Sequence, residues 1–271
     1  VRRIDGPASV PIAAVSPGVS TGRSTRVPLR GMRRMIAENL TQARNEIPHV
    51  SLIDECNVTD LVKLRASLKE TCAMSSIKLT YLAFFVRAAV AALKAEPLVN
   101  SSLDDEAGEI ILHHDYHIGI ACATPQGLLV PVIRNADQKG IFEIAREIDA
   151  LGTEAKAGRS QYADLHGGTF TITSIGNIGG LISTPIIRRP EVAIMGVGKI
   201  LKRPIYDEHD RIVPANLVYL SFSFDHRVID GDVAARFSRS IIRQLEHAAA
   251  LLLPPEATSA RAGDAPNARA A

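Results

Sequence analysis

The chain has no tryptophan, and aromatic residues make up only 4% of its 271 residues. A core must then be built from Ala, Val, Ile and Leu, and at 46% hydrophobic residues there are enough of them to exclude global disorder. Cysteine is scarce. Cys56, Cys72 and Cys122 are an odd, widely spaced set with no Cys-x-x-Cys pair. That excludes a disulfide framework and a zinc knuckle, and it points to a reducing compartment. Cys122 lies in an apolar strand pattern and is expected to be a buried, inert thiol. An excess of one charge is also missing. A net charge of +2 gives no case for nucleic acid or an anionic membrane, and Arg23, Arg26, Arg30, Arg33 and Arg34 read as a solvated linker and helix face. No apolar run is long enough to span a bilayer. The longest, Leu79 to Leu93, carries Arg87 and reads as a buried helix ending before Pro97. Val1-Arg2-Arg3 leads into Pro, Ala and Gly and not into an apolar signal segment, so a soluble protein is expected.

Several motifs are absent as well. There is no Gly-x-x-x-x-Gly-Lys phosphate loop, no Gly-x-Gly-x-x-Gly after a strand and no Gly-x-Ser-x-Gly elbow, which disfavours nucleotide, dinucleotide and elbow-hydrolase folds. His113, His114 and His117 invite a metal reading. In a strand, however, His113 and His117 sit far apart, and no carboxylate or Cys pattern completes a site, so no metal is expected. His49, His166, His209 and His247 read as surface or turn residues.

Composition divides the chain in three. Residues 1–26 alternate Pro and Gly with Ala, Ser and Val and read as a flexible linker, which suggests further modules upstream in a longer native chain. Residues 27–253 carry helix and strand periodicity. Residues 254–271, rich in Ala, Pro, Gly and Arg, read as a disordered tail. Within the patterned part, Met32, Met35, Ile36 and Leu40 fall at helix spacing. Val50 to Val58 reads as a strand, and Leu61, Leu64 and Leu68 mark a helix opened by Thr59-Asp60. Strand-like runs follow at Ile110 to Leu112, Tyr116 to Ala123 and Leu128 to Ile133, then a helix through Ile141, Ile144, Ala145 and Ile148. Further strands are expected at Gly168 to Thr173, Val192 to Val197 and Leu217 to Phe224, with a hairpin tip at Tyr206 to Asp210. Val233, Phe237, Ile241 and Leu245 share one face of a last helix. The irregular alternation predicts an α/β (α+β) fold, a mixed sheet covered by helices.

Two stretches carry chemistry. The alternating run Leu217 to Phe224 leads straight into Asp225-His226-Arg227-Val228-Ile229-Asp230-Gly231. It delivers His226 at a strand end, and Asp230-Gly231 supplies a turn and a helix start. A histidine so held is suited to general-base work near neutral pH. The second stretch, Gly168-Thr169-Phe170-Thr171-Ile172-Thr173-Ser174, ends in two hydroxyl residues before a glycine-rich loop. A hydroxyl there is placed to donate to charge developing on an oxygen, and period-two geometry lets only one of Thr173 and Ser174 serve.

His-x-x-x-Asp-Gly at 226–231, preceded by Ser-Phe-Asp, resembles the signature of dihydrolipoyl acyltransferases, the core components of 2-oxo acid dehydrogenase complexes. Further blocks in the same order strengthen the resemblance. They are Arg30 to Ala37, Ile47-Pro48-His49-Val50, Gly127 to Ile133, Gly168 to Thr173 and Pro190 to Gly198. The resemblance implies a chloramphenicol-acetyltransferase-like fold in trimeric building blocks that assemble into a cubic or icosahedral core, with the active site in a channel between subunits. It implies coenzyme A as substrate from one end and, from the other, a lipoyl group carried on another domain. It also implies 2-oxo acid decarboxylase and dihydrolipoyl dehydrogenase partners, and a cytoplasmic location in a bacterium or a mitochondrial matrix location in a eukaryote. The implied roles are His226 as base, Thr173 as oxyanion donor and Asp230 as an organiser of the loop. An acetyl group, as in pyruvate-type enzymes, is the favoured cargo. A branched-chain acyl group, or a non-catalytic core or tethering subunit, is the alternative. Arg188-Arg189 departs from the Asn/Pro-rich stretch common in the family. The three leucines Leu251 to Leu253 are expected to dock on a neighbouring trimer.

Overall fold

The structure is a computed structural model that describes residues 23–254 apart from 126, 177 and 178. Most of the expected linker and tail lies outside the described residues. The elements run α1 (Gly31–Glu46), β1 (His49–Asn57), α2 (Thr59–Met74), α3 (Tyr81–Ala95), β2 (Ser101–Asp104), β3 (Glu109–Leu112), β4 (Ile118–Ile120), β5 (Cys122–Thr124), β6 (Gly127–Leu129) and β7 (Val132–Ile133). There follow α4 (Ile141–Lys156), β8 (Phe170–Ser174), β9 (Ala193–Val197), β10 (Leu201–Tyr206), β11 (Ile212–Asp225) and α5 (Gly231–Glu246). The main sheet is mixed, in the order β1-β11-β9-β8-β4-β7, with β10 pairing to β11. The pairs β4–β8 and β8–β9 are parallel and the others antiparallel.

One face of this sheet is buried by helices. Period-two alternation turns Phe222 and Phe224 of β11 and Phe170 of β8 to that face, where they meet Phe237 of α5 edge-on at centroid distances of 5.7–6.1 Å. Phe237, Ile241 and Leu245 are fully buried, and Val233 packs against the same core. α3 is apolar all round and therefore lies innermost. Of its two charges, Lys94 in the last turn pairs with Asp137 at 3.3 Å, and Arg87 is buried, its guanidinium donating to the carbonyls of Lys139 and Leu253.

The other face is more sparsely covered. α1 touches it through Ala43, and Ile47 just beyond packs with Ile187 and Ile194. Of the helix-spaced apolar residues on α1, Met32 and Ile36 are partly buried, while Met35 and Leu40 are exposed. The expected long strands between 110 and 133 are broken up. β5 and β6 leave the main sheet as a hairpin, and β2 and β3 form another. The C-terminal leucines do not form a free patch. The chain after His247 turns as a 3-10 helix (Ala248–Leu252), in which positions three apart share a side. Ala248 and Leu251 are thereby buried in the chain's own core, Leu252 packs beside them, and Leu253 alone is exposed.

Candidate active site

β11 is the backbone of the site. It runs for 14 residues and ends at Asp225, held between β1 and β9. The chain then folds back in a tight turn. The Asp225 carbonyl accepts the N–H groups of Val228 (3.0 Å) and Ile229 (2.9 Å), and α5 starts one residue later with Asp230 at its N-cap. His226 therefore stands at the rim of the sheet, its own N–H donating to the Pro48 carbonyl at 3.1 Å. Its side chain is half exposed, with Nδ1 3.8 Å from Asp230 Oδ1. A shallow groove runs beside it, walled by Arg44, Glu46, Ile47, Pro48, His49 and Arg227.

Beneath the imidazole lies an acid that sequence reasoning passed over. Asp225 is 2% exposed, and its carboxylate receives Arg227 Nε at 3.0 Å and Nη2 at 2.7 Å. Burying a carboxylate without a partner is costly, so this pair secures the turn. The signal was present, since Asp225 and Arg227 stand two apart on either side of the histidine. His49 is likewise not a surface residue. Its Nε2 accepts the Ile187 N–H at 3.0 Å, so Nδ1 carries the proton and donates to the Ile47 carbonyl at 2.8 Å. It joins the start of β1 to the segment before Pro190. Arg188 and Arg189 act in that segment too. Arg188 Nη2 donates to the Leu165 carbonyl, and Arg189 pairs with Glu46 at the end of α1.

Thr173 lies half-buried at the end of β8, and Ser174 beside it is exposed. Ile172 faces the core, so Thr173 points to the opposite face. Ser174, on the helix side, lines a cavity of about 710 Å³. Four cations border this cavity: Arg65 of α2, Lys78, Lys156 at the end of α4 and Lys199 after β9. Lys78 is paired with Asp149 at 2.9 Å, and Arg65 lies 4.8 Å from the Tyr81 ring centre. Cys122, expected to be buried, is partly exposed and lines the same cavity. Cys56 and Cys72 are buried, and burial pushes the Cys56 thiol up to about 12.

The structure does not bring Thr173 and His226 together within one chain. Thr173 is level with Gly196 of β9, and Gly196 with Ser221 of β11. His226 lies five residues beyond Ser221, about 16 Å along the sheet at about 3.3 Å per residue. Two of the histidines that invite a metal reading in the sequence are held by structural contacts. His113 Nε2 lies 3.1 Å from Ser102 Oγ, and His117 Nδ1 accepts the Asn135 N–H at 3.1 Å. Burial depresses the basicity of both.

The catalytic-domain family described as 2-oxoacid dehydrogenases acyltransferase matches residues 21–253. The chain belongs to that family. It is 44% identical, over 84% of its length, to the dihydrolipoyllysine-residue acetyltransferase component of the pyruvate dehydrogenase complex of Bacillus subtilis. It is 43% identical, over 83% of its length, to the mitochondrial lipoamide acyltransferase component of the branched-chain α-keto acid dehydrogenase complex of Caenorhabditis elegans. It covers 52% and 50% of those two proteins, so this family member spans about half the length of the curated relatives it matches. Among solved structures, the dihydrolipoamide acetyltransferase of Azotobacter vinelandii superposes with a TM-score of 0.85 at 37% identity, covering 89% of this chain and 100% of that one. That structure was determined to investigate a serine, a histidine and an asparagine in its catalytic mechanism. Its histidine and asparagine are four positions apart, as His226 and Asp230 are here. The cubic core of a pyruvate dehydrogenase multienzyme complex superposes equally well, at 36% identity.

Proposed function

We propose that this chain is the catalytic core of a dihydrolipoamide acyltransferase, exchanging an acyl group between dihydrolipoamide and coenzyme A. The observation that carries the reading is His226, held half-exposed at a rigid strand end within a matching family motif. The lipoyl group, on another domain, supplies one thiol, and coenzyme A supplies the other. His226 takes the proton from the attacking thiol and so makes it a competent nucleophile toward the thioester carbonyl. The Thr173 hydroxyl donates to the oxygen of the tetrahedral adduct. His226 then returns its proton to the departing sulfur, and no acyl-enzyme is needed.

The register of the sheet keeps these two groups apart in one chain, so Thr173 is supplied by a neighbouring subunit. Trimers grouped into a larger core meet that need, and the likeness to a solved cubic core supports it. Asp230 stands at the N-cap position of the following helix without a side-chain cap hydrogen bond, and its Oδ1 lies 3.8 Å from His226 Nδ1, which fits an organising role. The cavity bordered by Arg65, Lys78, Lys156 and Lys199 suits the phosphates of coenzyme A. Replacing Lys199 by Gln is expected to raise KM for coenzyme A about tenfold with kcat little changed. A fall in kcat at unchanged KM counts against that placement.

The acetyl group is the favoured cargo, and the similar identity to a branched-chain enzyme makes a branched acyl group the second reading. A panel of acyl-CoA thioesters assayed with dihydrolipoamide separates them by kcat/KM. A folded, assembled protein that transfers none of them overturns the catalytic reading in favour of a tethering subunit.

A further inference from the structure

The His226 side chain has little to hold it. Asp230 Oδ1 lies 3.8 Å from its Nδ1, with the His226 side chain half exposed and that of Asp230 largely in solvent. What is fixed is the backbone beneath it. Asp225 N donates to the Val192 carbonyl at 2.8 Å, the Asp225 carbonyl receives Val228 and Ile229, and Asp225 Oδ1 receives the Arg227 N–H at 3.0 Å. Arg227 is the keystone of that turn. Its Nε and Nη2 edge clasps buried Asp225, and its remaining amino group, Nη1, donates to Asp105 Oδ1 at 2.6 Å.

Asp105 comes from a remote part of the chain, 122 residues earlier, at the tip of the β2–β3 hairpin. The tip is preset, because Asp104 Oδ1 accepts the N–H groups of Glu106 and Ala107, each at 3.0 Å. The base is anchored too. Fully buried Asn100 donates to the carbonyls of His113 (2.8 Å) and Asp115 (3.1 Å), and Ser102 forms a β-bridge with Glu191. Glu191 adjoins Val192, whose carbonyl takes the Asp225 N–H. The hairpin and the turn are thus referred to the same point of the sheet, and Asp105 closes the frame.

We propose that Asp105 is a positioning residue for His226, acting through Arg227 on the turn Asp225–Ile229. The inference rests on the reading of His226 as the base. One effect follows from the geometry. With both edges of the guanidinium engaged, Arg227 is held on two sides, and the turn keeps one conformation. Asp105 is about half exposed, at the surface end of this contact.

The test uses the assembled protein. Asp105→Asn is expected to lower kcat about tenfold, leaving KM for coenzyme A and dihydrolipoamide, thermal midpoint and particle size unchanged, because small misplacements of a reacting group are costly. Asp105→Glu is expected to restore most of kcat. The double variant Asp105→Asn/Arg227→Gln is expected to be no slower than Arg227→Gln alone. A readout independent of activity is hydrogen exchange. Asp105→Asn is expected to accelerate exchange at the amides of Arg227, Val228 and Ile229 and to leave the middle of α5 untouched. Wild-type kcat in Asp105→Asn, or unchanged exchange in the turn, overturns the inference. A kcat loss accompanied by lost stability or altered particle size overturns it in favour of a structural role. If the wild type transfers no acyl group, the catalytic reading fails, while the exchange data still decide whether Asp105 holds the turn.

Discussion

At the scale of single residues, His226 and Thr173 have separable signatures. His226→Ala removes the base and is expected to cost on the order of a hundred- to ten-thousand-fold in acyl transfer with folding intact. Thr173→Ala removes one donor to the oxyanion, so kcat is expected to fall about two to three orders of magnitude with KM little changed, and Thr173→Ser to be mild. If instead Ser174→Ala is the damaging change, the hydroxyl that matters is the one in the cation-lined cavity. A third residue gives the fold a pH dependence. Glu191 is almost wholly buried, and burial pushes its carboxyl up to about 7 against the opposing pull of Thr171 and Arg188. The native state then holds a proton that the unfolded chain releases nearer the usual 4.5. Its contribution therefore weakens as pH rises from there through about 7. Urea unfolding of Glu191→Gln across that range is expected to show a flatter decline than the wild type. Parallel profiles refute the assignment.

At the scale of elements, much follows from local rules. The four-residue spacing of Val233, Phe237, Ile241 and Leu245 makes α5 a helix with one buried face, and the Phe-Ser-Phe alternation of β11 supplies the surface it meets. The C-terminal turn follows no such visible rule. Three consecutive leucines read as a contact patch, yet the 3-10 turn buries Leu251 beside α3, and Arg87 reaches the Leu253 carbonyl. Truncation after His247 is therefore expected to lower stability of the subunit itself, by about 2–5 kcal/mol for the loss of one buried leucine. Denaturant unfolding checks this. A truncated chain that is as stable as the wild type but smaller in particle size restores the docking role.

At the scale of the whole molecule, the register decides how the site is built. Two motifs that look like partners in the sequence sit about 16 Å apart along the sheet. A shared site predicts complementation. Inactive His226→Ala and Thr173→Ala chains, co-expressed into mixed trimers, are expected to recover about one quarter of wild-type activity, since random assortment in a cyclic trimer pairs intact partners at that frequency. Mixed particles that stay inactive show that both groups must come from one chain.

The sequence by itself determined the mixed α/β class, the innermost place of the apolar segment around α3, the faces of α4 and α5, and the strand–turn–helix that carries His226. These depend on periodicity and turn chemistry within a few residues, where side-chain direction follows from φ and ψ alone. The Asp225–Arg227 clasp was legible on the same terms, as charges two apart on one strand end. Only the tertiary structure decided which strands adjoin, and with that the distance from Thr173 to His226, the outward turn of Met35 and Leu40 on α1, the cations gathered around Ser174 and the reach of Asp105 to Arg227. The reason is physical. Contacts between residues more than a hundred positions apart depend on strand order and crossover path, which local periodicity leaves open.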